Sequence, residues 1–247
     1  HAISGELWWQ VVLFVINTFC VILLVIGYRT RLFTFICWTF LVSLQNRNPF
    51  IMQGGDDLLR LVLLWGIFLP WGERYSIQKK SEYTDGYFSM ATIGYTILVG
   101  SVYFFSALLK TSPEWHSDAT ALYYALSLDQ LRLPLGSFLY QFPGLLSALT
   151  HVVYYTELLA PLLFVLPFIP SRVRFWGVVA IILLHISISL TIYVGLFYVI
   201  GISSLIGLLP KKQMDWFDQK LFRNRTEIIP DTDTRWRHTF VYETFTT

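Results

Sequence analysis

The sequence predicts an all-α integral membrane protein, a polytopic helix bundle of about seven membrane segments, some of them short or re-entrant. Two observations carry this. Hydrophobic residues make up 55% of the 247 positions and charged residues 14%, where a soluble domain carries roughly a quarter charged. The apolar runs are also long and continuous, without the period-two alternation of barrel strands.

The segments are Leu7–Tyr28, Leu32–Leu44, Leu58–Trp71, Tyr87–Leu109, Leu145–Phe168, Arg174–Thr191 and Gly195–Leu209. A span needs about 20 apolar residues. The first, fourth and fifth meet that. The second, third and seventh are short, so tilting, a protein-lined cavity or re-entry is expected of them. Only Ile192, Tyr193 and Val194 separate the last two, which leaves open one kinked helix or two. Leu7–Tyr28 is too long and wrongly flanked for a signal peptide. Opening at His1, the chain reads as a fragment or a partly observed chain. Residues 1–210 form the expected bundle, and residues 211–247 a polar tail in which Trp216, Phe217, Leu221 and Phe222 mark a short interfacial helix.

Basic residues orient the bundle. If every segment spans, Arg29, Arg31, Arg74, Lys79, Lys80, Arg172, Arg174 and the seven Lys and Arg residues of the tail share one face, fourteen in all; Arg47, Arg60, Lys110 and Arg132 are the four on the other. The positive-inside rule makes the richer face cytoplasmic. The Lys110 loop is then extracytoplasmic and the tail cytoplasmic. The outward loop from Lys110 to Gly144 is expected to hold a helix over Asp118–Gln130, with Asp118 as N-cap and Leu122, Ala125 and Leu126 on one face.

A polar island interrupts the early apolar runs: Gln45-Asn46-Arg47-Asn48-Pro49, then Gln53-Gly54-Gly55-Asp56-Asp57, then Arg60. These groups must pair with one another or face water. Asp56 and Asp57 suit capping of a helix starting at Leu58. Cys20 and Cys37 read as buried apolar residues. The five histidines have no metal-ligand spacing, so no metal is expected, and nothing points to nucleic acid.

Three residues in apolar surroundings are candidates for chemistry. Lys110, at the end of the fourth segment, is either a lysine snorkelling to the surface or a base, because shielding an amine from water disfavours its ammonium form. Glu157, deep in the fifth segment, must be paired, hydrogen-bonded or protonated; Arg60, His151 or a backbone group freed by Pro161 are the partners expected. His185, in the sixth, is either a helix–helix hydrogen-bonding residue or a catalytic group. Tyr103, Phe104, Phe105, Trp115, Tyr123, Tyr124 and Tyr140 make either an interfacial belt or a slot for a flat lipid-soluble ligand.

Leu41-Val42-Ser43-Leu44-Gln45-Asn46-Arg47-Asn48-Pro49, Gly54-Gly55-Asp56-Asp57-Leu58-Leu59-Arg60 and Phe68-Leu69-Pro70-Trp71-Gly72 resemble the signature of the horizontally transferred transmembrane (HTTM) domain family, over about residues 1–210. Its best-known relative is the vitamin K-dependent gamma-carboxylase. Tyr103-Phe104-Phe105-Ser106-Ala107-Leu108-Leu109-Lys110 with Glu114-Trp115 is similar to the segment holding that enzyme's catalytic lysine, and Leu184-His185 with Phe197-Tyr198-Val199 to a histidine-bearing segment. The chain departs from the pattern at Leu109, where the carboxylase has a second lysine, and near Asn48 and Pro49, where it has a histidine.

The resemblance implies a carboxylase-like carbon–carbon lyase or oxygenase coupled to oxidation of a reduced, vitamin K-like quinone. Lys110 and His185 would be catalytic, and Arg47, Asn48, Arg60, Glu157, Trp115 and Tyr103 would line the cavity. The expected setting is a bacterial inner membrane. The alternative is a non-catalytic membrane subunit or scaffold packed against other subunits; the run Gly94 to Gly100 with Ser101 and Ser106 suits close helix contact. A weaker reading is transport of a small anion past Arg47 and Arg60.

Overall fold

A computed structural model describes residues 6–47, 50, 52–72, 76–77 and 89–221. Among them the regular structure is helical: α1 (Leu7–Val25), α2 (Thr30–Arg47), α3 (Gly54–Gly66), α4 (Met90–Leu108), a single 3₁₀ turn (Pro113–Trp115), α5 (Ala121–Ser127), α6 (Pro134–Leu139), α7 (Pro143–Val165), α8 (Ser171–Thr191), α9 (Phe197–Ile206) and α10 (Lys211–Leu221). Four of these helices, α1, α4, α7 and α8, are long and apolar enough to cross a membrane. The chain is therefore a helical membrane protein. Helix α3, at 13 residues, and α9, at 10, are shorter than the roughly 20 residues a span needs.

The chain forms two compact units, residues 1–97 and 98–247, with the boundary inside α4. In the first, α2 packs between α1 and α3. Thr34, Cys37 and Gln45 are its buried residues, spaced so as to share one helical face. The polar island is largely self-contained. Gln45 Nε2 donates to the Asp56 carbonyl at 2.9 Å, the Gln53 amide to Asp56 Oδ2 at 2.8 Å, and Arg60 Nη2 to Asp57 Oδ1 at 2.8 Å. Asp56 does cap, but from inside the helix: α3 starts at Gly54, four residues before the expected Leu58, because Gln53 takes the capping position.

The second unit is built on α7 against α8, with α4, α5, α6 and α9 around them. Along α7, Leu146, Thr150, Glu157, Ala160 and Phe164 are buried; along α8, Gly177, Val178, Ile181, Leu184 and His185. Both sets fall on one side of their helix, with members three, four or seven residues apart, so each marks the stripe that faces the bundle. At the far end Arg174 Nη2 donates to the Phe164 carbonyl at 2.5 Å. That carbonyl is one of the last four of α7, which no helical amide can reach, and a cation suits this end of a helix.

The sixth and seventh segments are two helices rather than one kinked helix. Ile192 is extended, with φ −143° and ψ 140°, and pairs with Arg132 in an isolated β-bridge. Gly195 then turns the chain at φ +61°, a left-handed conformation cheap for glycine. Two features of the outward loop differ from expectation. The helix there starts at Ala121, not Asp118, because Ala119 has φ +49° and interrupts any right-handed helix; Asp118 Oδ1 accepts from Ser117 Oγ at 2.8 Å instead of capping. A second short helix, α6, follows with Pro134 at its start, where the missing amide costs nothing. In the tail, α10 forms as expected, with Trp216 and Phe217 exposed and Lys220 Nζ 4.9 Å from the Trp216 ring centroid. Asn48, Arg74, Lys79, Lys80, Tyr87 and residues 222–247 lie outside the described residues.

Helices α7 and α8 touch at Gly177, where an added Cβ would lie 2.9 Å from the Ala160 carbonyl oxygen and 2.9 Å from Leu163 Cβ. Backbone cannot retreat as a flexible side chain can. Gly177→Ala is expected to lower stability by about 1–3 kcal/mol, read as a lower denaturation midpoint in detergent; an unchanged midpoint would refute this contact.

Candidate functional site

The site of the second unit is assembled on one face of α4. Tyr103, Ser106 and Lys110 follow at intervals of three and four, which stacks them along a single helical stripe. The α4 ladder closes with the Leu109 amide donating to the Phe105 carbonyl at 2.9 Å and the Lys110 amide to Ala107 at 3.0 Å. The Lys110 side chain thus leaves the C-terminal end of α4, where exposed carbonyls favour a cation.

Opposite Ser106 and Lys110 stands Glu157 of α7. Lys110 Nζ and Glu157 Oε2 form an ion pair, with side chains only 14% and 12% exposed. Ser106 Oγ donates to the same Oε2 at 3.0 Å and accepts from Lys110 Nζ at 2.9 Å. Nζ also reaches the Ser106 carbonyl at 3.5 Å. The lysine does not snorkel outward, and the partner of Glu157 is Lys110 with Ser106. His151 is exposed, and Arg60 pairs with Asp57 near the surface. Pro161 lacks an amide and so leaves the Glu157 carbonyl without its usual donor, but the Glu157 carboxylate finds its partners on α4.

The 3₁₀ turn Pro113–Trp115 closes over the amine. The Trp115 ring centroid lies 4.8 Å from Lys110 Nζ, within range of a cation–π attraction. His116 Nε2 donates to the Lys110 carbonyl at 2.7 Å, and its ring meets Tyr154 edge-on with centroids 4.8 Å apart. Tyr154 lies three residues before Glu157 on α7, so the turn is held by the helix that supplies the carboxylate.

A second polar junction lies on the same α4 stripe. Tyr103 Oη and His185 Nε2 share a hydrogen bond of 2.7 Å, with Tyr103 4% and His185 1% exposed. The imidazole packs against Phe197, centroids 5.1 Å apart. A Cβ at Gly201 would overlap the ring, so α9 can approach only because that residue is glycine. His185 Nδ1 is buried with no hydrogen-bond partner among the described residues. Ser187 and Ser189 turn back to the carbonyls of Leu184 and Ile186, and neither reaches the imidazole.

Of the residues selected from sequence, the structure brings Lys110, Glu157 and Trp115 together, and Tyr103 with His185. Arg47 is exposed at the end of α2. Arg60, like Arg47, belongs to the first unit, and Asn48 lies outside the described residues. Sequence reasoning missed two members of the site. Ser106 was read only as a small residue for helix contact, although its place four before Lys110 puts the two on one stripe. His116 had no sequence signal beyond its nearness to Trp115. Among the described residues no group of three or more His, Cys, Asp or Glu side chains is placed to hold a metal ion. Comparison with protein-family models, curated proteins and solved structures gives no match.

Tyr103→Phe removes the partner of a fully buried imidazole nitrogen. It is expected to cost about 1–3 kcal/mol, while the pair Tyr103→Phe with His185→Leu costs less than the sum of the single changes. Denaturation midpoints of the four proteins in detergent measure this, and additive effects would contradict the bond.

Proposed function

We propose that the chain is an HTTM-family membrane enzyme related to the vitamin K-dependent gamma-carboxylase, and that the Lys110–Glu157 pair is its proton-transfer centre. The observation that carries this is the shielded ion pair itself. Lysine and glutamate are among the costliest side chains to hold inside a helical membrane bundle, and a merely structural link between α4 and α7 is made as well by apolar packing. The resemblance of the Lys110 segment to the lysine segment of the carboxylase points the same way.

The cofactor in this reading is a reduced quinone, which supplies a weakly acidic hydroxyl and the reducing equivalents for oxygen. The residues fit such a molecule. Glu157 Oε1 accepts no hydrogen bond from any described residue and is not among the sealed, unpartnered atoms, so it is open to a hydroxyl donor. Trp115, whose ring already packs against Lys110 Nζ, is the aromatic side chain that would meet a flat ring. Tyr103, two turns before Lys110 on the α4 side of the site, and its α8 partner His185 complete the polar stripe. The reading includes about seven membrane segments, a bacterial inner membrane and an extracytoplasmic Lys110 loop. That orientation places the pair on the side opposite the basic tail.

A second reading, a non-catalytic subunit packed against other membrane chains, is favoured by α1. Cys20 is its one buried residue, while Trp8, Phe14, Val15, Phe19 and Ile22 are more than half exposed. That apolar surface suits either lipid or a neighbouring helix.

The deciding experiment supplies membranes bearing the protein with reduced 1,4-naphthoquinone and oxygen. Parent protein is expected to form the quinone epoxide, and Lys110→Ala at least 100-fold less. No epoxide from the parent, or equal amounts from both, would reject the enzyme in favour of the subunit.

A further inference from the structure

We infer that α6, with the chain leading out of it, is a membrane-interface element. Leu135, Phe138 and Phe142, all exposed on the protein, enter the edge of the hydrocarbon layer and meet phospholipid acyl chains, while Ser137 faces water. This surface is separate from the Lys110 site and does not depend on whether that site is catalytic.

The depth of α6 follows from the helices it is fixed to. Helix α8 has 21 residues and α7 has 23, and about 20 residues cross the hydrocarbon. Thr191 at the end of α8 and Pro143 at the start of α7 therefore lie where hydrocarbon gives way to headgroups. Both helix ends hold this segment. The Leu133 amide donates to the Thr191 carbonyl at 3.0 Å, and the Tyr193 amide to the Leu131 carbonyl at 2.7 Å. A Cβ on Gly136 would overlap the Thr191 carbonyl oxygen, so α6 lies directly against the end of α8. On its other side only Tyr140, Gln141 and Phe142 connect α6 to α7. Held at both ends, α6 stays at the level of the bilayer surface.

At that level the side chains sort by polarity. Gly136 marks the face of α6 turned to α8. Leu135 and Phe138, three residues apart, share another face, and the Phe142 ring packs on Phe138 with centroids 5.2 Å apart. Ser137 is exposed as well, but a step of about 100° per residue turns it away from both. The apolar patch runs on along the chain into α7, where Leu145, Val152, Tyr155 and Leu159 are exposed on the side opposite the buried stripe. In a membrane protein that outer stripe of α7 meets lipid, and the patch on α6 continues it. An exposed apolar patch marks a contact surface, and this continuity makes its partner the bilayer. The polar neighbours agree. Arg132 lies 4.6 Å from the Tyr140 ring centroid, and Tyr140 stacks on Tyr123 at 4.7 Å; a guanidinium and two phenols suit the headgroup layer.

The test uses the full chain in phosphatidylcholine nanodiscs, with a nitroxide spin label at Phe138→Cys or at Ser137→Cys. Cys20 and Cys37 are buried, so the parent is expected to take little label and serves as the background. Power saturation of the electron paramagnetic resonance signal reads collisions with oxygen, which partitions into lipid, and with a water-soluble nickel chelate. At position 138 oxygen is expected to be the more effective relaxant by about threefold or more; at 137 the nickel chelate is expected to be. Should Phe138→Cys fail to fold, Leu135→Cys on the same face takes its place with the same expectation. Nickel access at 138 equal to that at 137 would overturn the inference and put α6 in water. Dipolar broadening between labels at 138 would overturn it in favour of a second copy on this face. A label at 138 reached by neither probe would overturn it too, since the side chain would then be packed inside the protein.

Discussion

A carboxylate near the middle of α7 has to be compensated, and the second unit is arranged around how that happens. The penalty for an uncompensated charge in such a place is several kcal/mol, comparable with the whole stability of a typical domain. Compensation comes from the end of α4: a lysine placed where helix carbonyls already favour a cation, and a serine one turn earlier that bonds both charged groups. Once those three residues are fixed, so are the rotation of α4 and its depth against α7. The Pro113–Trp115 turn then has only a short reach to the top of the pair, and the ring contact of His116 with Tyr154 ties that turn to the helix carrying Glu157.

The apolar helices were legible because their signal is local and strong. A continuous run of about 20 apolar residues admits few readings, and α1, α4, α7 and α8 follow from it. Helix ends were less legible because they depend on single conformations. Asp118 has the right chemistry for a cap, but the left-handed Ala119 beside it is set by the chain's path. Gln53, not Asp56 or Asp57, begins α3 for a similar reason: the capping interaction is between residues three apart, and either end of it can define the start. Helix α6 was not anticipated, because Pro134 at its start marks a turn as readily as a first helical residue.

The site was half legible. That Lys110 and Glu157 each need compensation follows from their surroundings in the sequence. That they compensate each other does not, since they stand 47 residues apart and nothing local distinguishes Lys110 from Arg60 or His151 as the answer. Tyr103 with His185, 82 residues apart, is the same case. Ser106 illustrates a different gap. A serine or threonine in an apolar helix usually turns back on its own backbone, as Thr96, Ser187 and Ser204 do, and only the structure shows that Ser106 faces outward to a partner.

The two polar junctions on α4 also answer a question the apolar residues cannot. In its second-unit portion α4 is apolar on nearly every side, so hydrophobic contact alone leaves its rotation weakly specified. Polar pairs are directional, and turning the helix by one residue, about 100°, would strand Tyr103, Ser106 and Lys110 among apolar groups while leaving Glu157 and His185 unpartnered. The cost of that error is much larger than the net gain from making the bonds. The pairs therefore select one register more than they add stability. A register fixed at two points along the stripe holds the Lys110 amine against Ser106 and Glu157. The interaction that makes the helix pack in one way is thus the same one that holds the polar cluster at its end together.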